Sequence, residues 1–289
     1  MFQALGVALV FALVFGSFVV SGGSLRVLLR AAPHELLAIG GAALGAYLIS
    51  NSTEVVRATA GGFRKIFRGP RWRPGDYRDL LTLLFVLTRA MKSRGVIVLE
   101  SHVEHPRQSS IFARFPRLLE DAFAIDFICD TLRMMSMNLE DPHQVEDAME
   151  RRLERRLAEQ LAPADALQTT ADGLPALGIV AAVLGVITAL GSISQPPAVL
   201  GAMIGGALVG TFLGVFLAYG VVGPMANRLR AVVEEESSLY RIIQSVLVAH
   251  LHGNAAQISV EIGRGSVPTG AQPSFLELEA ALVTLPAAA

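Results

Sequence analysis

The segment SHVEHPRQSSIFARFPR sets His102 and His105 three residues apart with Glu100 and Glu104 beside them. On a helix that spacing could offer imidazole and carboxylate ligands to a metal. Pro106 interrupts such a helix, and no His-Glu-x-x-His signature is present, so no metal site is expected. His250 and His252 fall on different helix faces and read as surface residues. The chain contains no P-loop, no dinucleotide fingerprint and no Gly-x-Ser-x-Gly elbow, so neither an enzyme nor a cofactor is expected.

A more informative absence lies between Pro175 and Pro224, where no Asp, Glu, Lys, Arg or His occurs; the apolar run Met1 to Val20 has none either. Ion relays in membranes normally use an intramembrane ionisable group. Thr188, Ser192, Thr211 and Tyr219 can hydrogen-bond but cannot carry a proton near neutral pH, and bonding back to their own helices is their commoner fate. Either the chain moves no ions or another chain brings the titrating group.

The elements that would position these residues are apolar helices. LPALGIVAAVLGVITALGSI and AVLGAMIGGALVGTFLGVFLAYGVVGP each approach the ~20 residues that cross a hydrocarbon core, and Gln195-Pro196-Pro197 turns one back on the other. Gly206, Gly210 and Gly214 recur every four residues along one face, as do Gly178 and Ala182, so close backbone packing is expected there. Met1 to Val20 reads as a first span. A link with Arg26, Arg30 and Pro33 follows, then a short second span from Leu36 to Ser50, with His34 and Glu35 at its interface. Arg57, Arg64, Lys65, Arg68, Arg71, Arg73 and Arg78 crowd after that span, which places the region and both termini in the cytoplasm. Phe63, Phe67 and Trp72 suit either an interfacial stretch or a solvated linker.

Over the 289 residues, 52% are hydrophobic, the mean hydropathy is +0.50 and the net charge is −1. The chain must mix membrane and soluble parts, and it lacks the basic surplus of a nucleic-acid binder. The lone Cys129 reads as a buried, reduced thiol. Leu80, Leu81, Leu84, Leu87 and Met91 form one helical stripe, and Leu118, Leu119, Ala122, Ile125, Cys129 and Leu132 another. A polar helix around Asp147 to Glu159 and an amphipathic helix from Leu229 to about His250 complete the pattern, followed by a tail. The fold class is an all-α membrane protein with four transmembrane helices, a large helical cytoplasmic domain and a ring-forming oligomer. The expected segments are 1–51 (spans one and two), 52–173 (cytoplasmic domain), 174–224 (spans three and four) and 225–289 (cytoplasmic helix and tail).

Pro175 and Pro224 bracket the hairpin. Pro175 could open one helix at its first position and Pro224 break the other, or each could free a carbonyl one turn earlier and create a bend.

DGLPALGIVAAVLGVITALGS and GALVGTFLGVFLAYGVVGP resemble the third and fourth membrane helices of the flagellar stator A subunit, the MotA family. The likeness continues through VLESHVEHPRQSSIFARFPRLLEDAFAIDFICDTLR, ISVEIGRG and PSFLELE, in one register over nearly the whole chain. The resemblance implies five A subunits around the single helices of two B subunits, an ion-carrying Asp on each B helix, and rotation against a rotor protein of the FliG type in the bacterial cytoplasmic membrane. It puts the family's mechanistic prolines on Pro175 and Pro224 and the rotor-facing acid on Glu100. The basic partner falls on Lys92, with Arg89 and Arg94 close by; a Lys there lacks the planar fork of Arg. Sodium-using relatives carry Thr where this chain has Ala182, so a proton is the expected ion, with Thr211 and Tyr219 beside its path. An energiser of the ExbB or TolQ type is the alternative, and a membrane scaffold without ion flux a third.

Overall fold

The structure, a computed structural model, describes residues 2–137 and 141–283; residues 284–289, the end of the expected C-terminal segment, lie outside the described residues. All regular elements described are helical. They are α1 (Phe2–Val20), α2 (Leu25–Ser50), α3 (Thr53–Arg68), α4 (Pro74–Arg94), α5 (Glu100–Glu104), α6 (Pro116–Leu119), α7 (Ala122–Ser136), α8 (Pro142–Gly191), α9 (Pro197–Leu217), α10 (Gly223–Leu251), α11 (Ala256–Gly265) and α12 (Phe275–Val283). One 3-10 turn joins α4 to α5, two join α5 to α6, and a π-helical turn, Ala218–Val222, joins α9 to α10. Among the described residues four helices are long and apolar enough to span a membrane: α1, α2, α8 and the run of α9 into α10.

Three boundaries differ from expectation. The second span begins at Leu25 rather than Leu36 and runs through Pro33. A helix-interior proline costs roughly 3 kcal/mol, and here Leu28, Ala31, Ala32, Ile39 and Ala43 of α2 are packed in a shared apolar cluster with α9 that offsets it. Likewise the polar helix and the third span are one helix, α8, with Pro163 and Pro175 in its interior, so Pro175 does not open a helix. The expected tail contains α11 and α12, whose Val260, Leu278 and Leu282 join a core.

Two compact units result. Residues 1–69 and 160–232 form one, and residues 70–159 with 233–289 form the other. The cut falls within α8 and α10, because α3 and the start of α10 pack with the membrane helices. A Cβ on Gly62 of α3 would lie 2.9 Å from Leu229 of α10, and the Tyr47 hydroxyl of α2 donates to Thr59 of α3 at 2.7 Å.

In the membrane unit α8 and α9 touch through backbone. A Cβ on Gly178 would lie 2.8 Å from the Gly210 carbonyl oxygen, and one on Gly214 would lie 2.7 Å from the Leu174 carbonyl oxygen. α1 leans on α9 through aromatic edges, Phe11 to Phe216 at 5.0 Å and Phe15 to Phe216 at 5.4 Å between ring centroids. The cytoplasmic unit instead encloses Leu80, Leu81, Leu84 and Leu87 of α4 with Ile125, Ile128 and Leu132 of α7 and Leu239, Ile243 and Leu247 of α10. Trp72 is buried in this core with the Arg71 guanidinium 4.6 Å above its ring, so it is not interfacial; Phe63 and Phe67 of α3 remain exposed.

Candidate functional site

The hairpin places its polar and proline residues around the glycine contact. Thr211, half-buried, has its Cα 3.3 Å from where a Cβ on Gly178 would stand, and Ala182 lies one turn along α8 from Gly178. Gly206 faces α2, with the Ala31 methyl 3.8 Å from its Cβ position. Gly206, Gly210, Gly214 and Gly178 thus serve contacts inside one chain. Thr188 bonds back to the Leu184 carbonyl at 2.9 Å. Tyr219 is 70% exposed on the π-helical turn.

Pro224 explains that turn. It has no N–H and its ring crowds the carbonyl of Gly220, so the helix inserts a residue and the Gly223 N–H reaches back five positions to the Ala218 oxygen. Gly223 is needed there, since a Cβ would lie 2.9 Å from that oxygen. Pro175, one turn before Gly178, likewise leaves the Ala171 carbonyl without its usual donor. Both prolines therefore mark weakened points in long helices and flank the Gly178–Gly214 contact.

Sequence reasoning placed Glu35 at the end of the second span, outside the helix packing. Glu35 lies inside α2, is only 7% exposed and packs against α9, with Oε2 2.6 Å from the Cβ position of Gly210. The carboxylate Oε2 is buried without a hydrogen-bond partner. A signal was present in the sequence: Glu35, Ile39 and Ala43, the buried residues of α2, repeat every four positions. Cutting the helix at Leu36 hid it.

In the cytoplasmic unit Arg89, Lys92, Arg94 and Glu100 are all exposed, and they sit on either side of one short connection. Gly95, at φ +81, closes α4; the 3-10 turn Val96–Leu99 follows, anchored by the fully buried Leu99, and Glu100 opens α5. The Lys92 ammonium donates to the Gly253 carbonyl at 3.0 Å, which ties the cluster to the end of α10. Arg89 leans over Phe85, 5.9 Å from its ring centroid. His250, expected at the surface, has a buried, unpartnered Nδ1, and burial together with the Lys92 charge lowers its pKa below the ordinary 6.5. His102 Nδ1 pairs with Ser109 Oγ at 2.8 Å, where Ser109 also caps the turn at Phe112.

A second polar network in this unit centres on Asp121. Asp121 accepts from the Ala124 N–H at 2.9 Å, from Arg71 at 2.9 Å and from the Tyr240 hydroxyl at 3.2 Å. Burial and the Asp121 charge push the Tyr240 phenol well up, and burial pushes the Cys129 thiol up to about 12, so that thiol is inert.

Comparison with known sequences decides the family. The family described as Motility protein A N-terminal matches residues 4–95, and the MotA/TolQ/ExbB proton channel family matches residues 120–242. Motility protein A of Escherichia coli (strain K12) is 40% identical over 95% of this chain and 92% of that protein. The chain belongs to the motility protein A family. Its members are A subunits of the flagellar motor stator, a motor and ion-channel component. Chemotaxis protein LafT of Vibrio parahaemolyticus is 34% identical over 95% of this chain and 96% of its own length. The fold is that of solved stators. The C. jejuni MotAB structure aligns with a TM-score of 0.71 at 19% identity over 92% of this chain and 95% of that one. The Bacillus subtilis MotAB stator complex aligns at 0.71 and 22% over 96% and 100%.

For this stator subunit, two features were missed by reading residues in order. The π-helical turn has no pattern of its own beyond Gly223-Pro224, and the burial of Glu35 depended on a helix continuing through Pro33.

Proposed function

We propose that five copies of this subunit ring two copies of a one-span B subunit in the bacterial cytoplasmic membrane and couple proton flow to rotation of a rotor protein of the FliG type. The observation that carries the reading is the hairpin itself. Ile179, Val183, Leu184 and Ile187 of α8 and Ile204 and Leu208 of α9 are exposed in the single chain, and no ionisable group lies on either helix from Leu174 to Leu217. A surface so apolar calls for lipid or partner helices, and the missing ion carrier fits an Asp brought by the B subunit.

Ala182 supports the proton. Dehydrated sodium needs several oxygen ligands, whereas a proton needs a carboxyl and a water path, and the Ala182 methyl supplies no oxygen. The surplus of Arg and Lys on α3 and the start of α4 supports a cytoplasmic position for these elements and both termini. Glu100 with Lys92, Arg89 and Arg94 forms the rotor-facing charge set; Pro175, Pro224 and the π-helical turn supply the bending points.

The test is swimming speed against external sodium at fixed pH, repeated with a protonophore. Speed independent of sodium and abolished by the protonophore is expected. Sodium-dependent speed that survives the protonophore overturns the proton assignment.

A further inference from the structure

The hairpin carries no acid of its own, yet this chain holds one against it. Glu35 is buried between α2 and α9, and the position a Gly210 Cβ would take is bordered by Glu35 Oε2 at 2.6 Å and the Ala181 methyl of α8 at 3.3 Å. Glycine at 210 is what leaves room for the carboxyl group.

Among the described residues Oε2 has no hydrogen-bond partner. The titratable neighbour is His34 on the same helix; its Nδ1 lies 3.7 Å from the other oxygen, Oε1, and its side chain is 86% exposed. Arg30 and Arg26, further along α2, are exposed. α9, the stretch of α8 from Leu174 to Gly191, and α1 contain no titratable side chain. A carboxylate left unpaired among methyl and methylene groups is far more costly than a carboxylic acid. The packing of α2 on Gly210 therefore holds this carboxyl oxygen where no donor reaches it.

We propose that Glu35 is a proton-binding site of the A subunit, occupied while α9 rests on α2 and emptied when α9 draws away. The O–H bond of the acid breaks and the proton passes to water entering the gap, or to a carboxylate on a B helix; no electron moves. The π-helical turn two turns further along α9 from Gly210 gives that helix a place to flex. This inference rests on the stator reading and adds one acid per A subunit to the ion route.

The experiment uses the complete A–B complex in lipid and its infrared spectrum. A carboxylic-acid carbonyl band, shifting in D2O, should be present in the wild type and in Glu159→Gln, which alters an exposed acid of α8, and be lost in Glu35→Gln. Glu35→Asp should displace the band, and serves if the Gln variant does not assemble. Swimming should slow several-fold in Glu35→Gln with an altered dependence on external pH, and recover in part in Glu35→Asp. An acid-band region unchanged in either variant overturns the proposal, as does a lost band with unchanged speed and pH profile. The band reports on Glu35 whichever ion drives rotation, so sodium-driven swimming would sink the proton-coupling reading without erasing it.

Discussion

The two units of this chain solve the packing problem in opposite ways. In the cytoplasmic unit the large side chains point inward, and Leu80, Leu81, Leu83, Leu84 and Leu87 of α4 are fully buried. In the membrane unit many large side chains point outward: Leu9, Ile179, Leu184, Ile187 and Leu208 are each more than half exposed, while the tightest helix contacts are made at Gly178, Ala181, Gly210 and Gly214. Water drives apolar bulk inside, but lipid is as apolar as leucine and offers no such drive. Helices in lipid gain instead by bringing backbones together, which only small residues permit.

The contrast can be broken most sharply at Gly214. A side chain there meets the Leu174 carbonyl oxygen at 2.7 Å and the Gly178 Cα at 2.9 Å, both backbone atoms that cannot rotate away. Gly214→Leu should part α8 from α9 and abolish both stator assembly and swimming, whereas Gly201→Ala, with open space around it, should leave both intact. The reverse holds in the cytoplasmic unit, where enlarging is not the danger but truncating is: Leu84→Ala should cost about 2 to 5 kcal/mol through the cavity it leaves. Motility assays with the yield of purified complex measure the first, thermal melting of the purified protein the second. A Gly214→Leu protein that swims would mean the backbone contact is not what holds the hairpin.

How much of this was legible in order of residues follows from the same contrast. The glycine repeat Gly206, Gly210, Gly214 announces close approach, and the leucine stripe of α4 announces a core, because each periodicity is the direct imprint of its solvent. What the repeat could not say is who the neighbour is. Gly206 meets Ala31, Gly210 meets Glu35 and Gly214 meets Gly178, three contacts within the chain. Prolines misled for a related reason. Pro33, Pro163 and Pro175 all lie inside helices, since tertiary packing outweighs one lost hydrogen bond, and so α2 was cut short and α8 split. Arg89, Lys92, Arg94 and Glu100 were named as a rotor-facing set from resemblance alone. What residue order did not reveal is that Leu99 and the Lys92 bond to Gly253 hold them in place.

A milder break separates the units by electrostatics. Among the described residues the membrane unit leaves Glu35 Oε2 unpartnered, while the cytoplasmic unit pairs Asp76, one of its buried acids. Its side chain is 5% exposed and receives Arg117 at both oxygens, 2.6 and 2.9 Å, as well as the Arg73 N–H at 2.8 Å. Arg117→Ala would leave that acid with the backbone donor, at a cost of about 1 to 3 kcal/mol. Arg117→Lys should recover part of it, since one ammonium cannot reproduce the two-point contact. A lowered melting temperature of the purified protein is expected in that order, and an unchanged one for Arg117→Ala would show that the pair contributes nothing to stability.

The smallest expected effect is confined to the cytoplasmic unit and is read against pH. His250 titrates below its ordinary 6.5 because burial, and then the Lys92 charge, disfavour the imidazolium. The folded value is depressed, so the unfolded chain binds the proton more readily. The stability contribution of the neutral ring is complete above the unfolded value and is lost as pH falls through the lower folded value. Carboxylates of the fold titrate at lower pH in any variant, so the informative quantity is the difference between wild type and His250→Gln. From about pH 7 downward through the His range the wild type should lose melting temperature more steeply than the variant, whose amide cannot take up a proton. Parallel slopes would show that the buried Nδ1 gains a compensating partner on protonation, and that the end of α10 beneath Lys92 opens to water more readily than its packing implies.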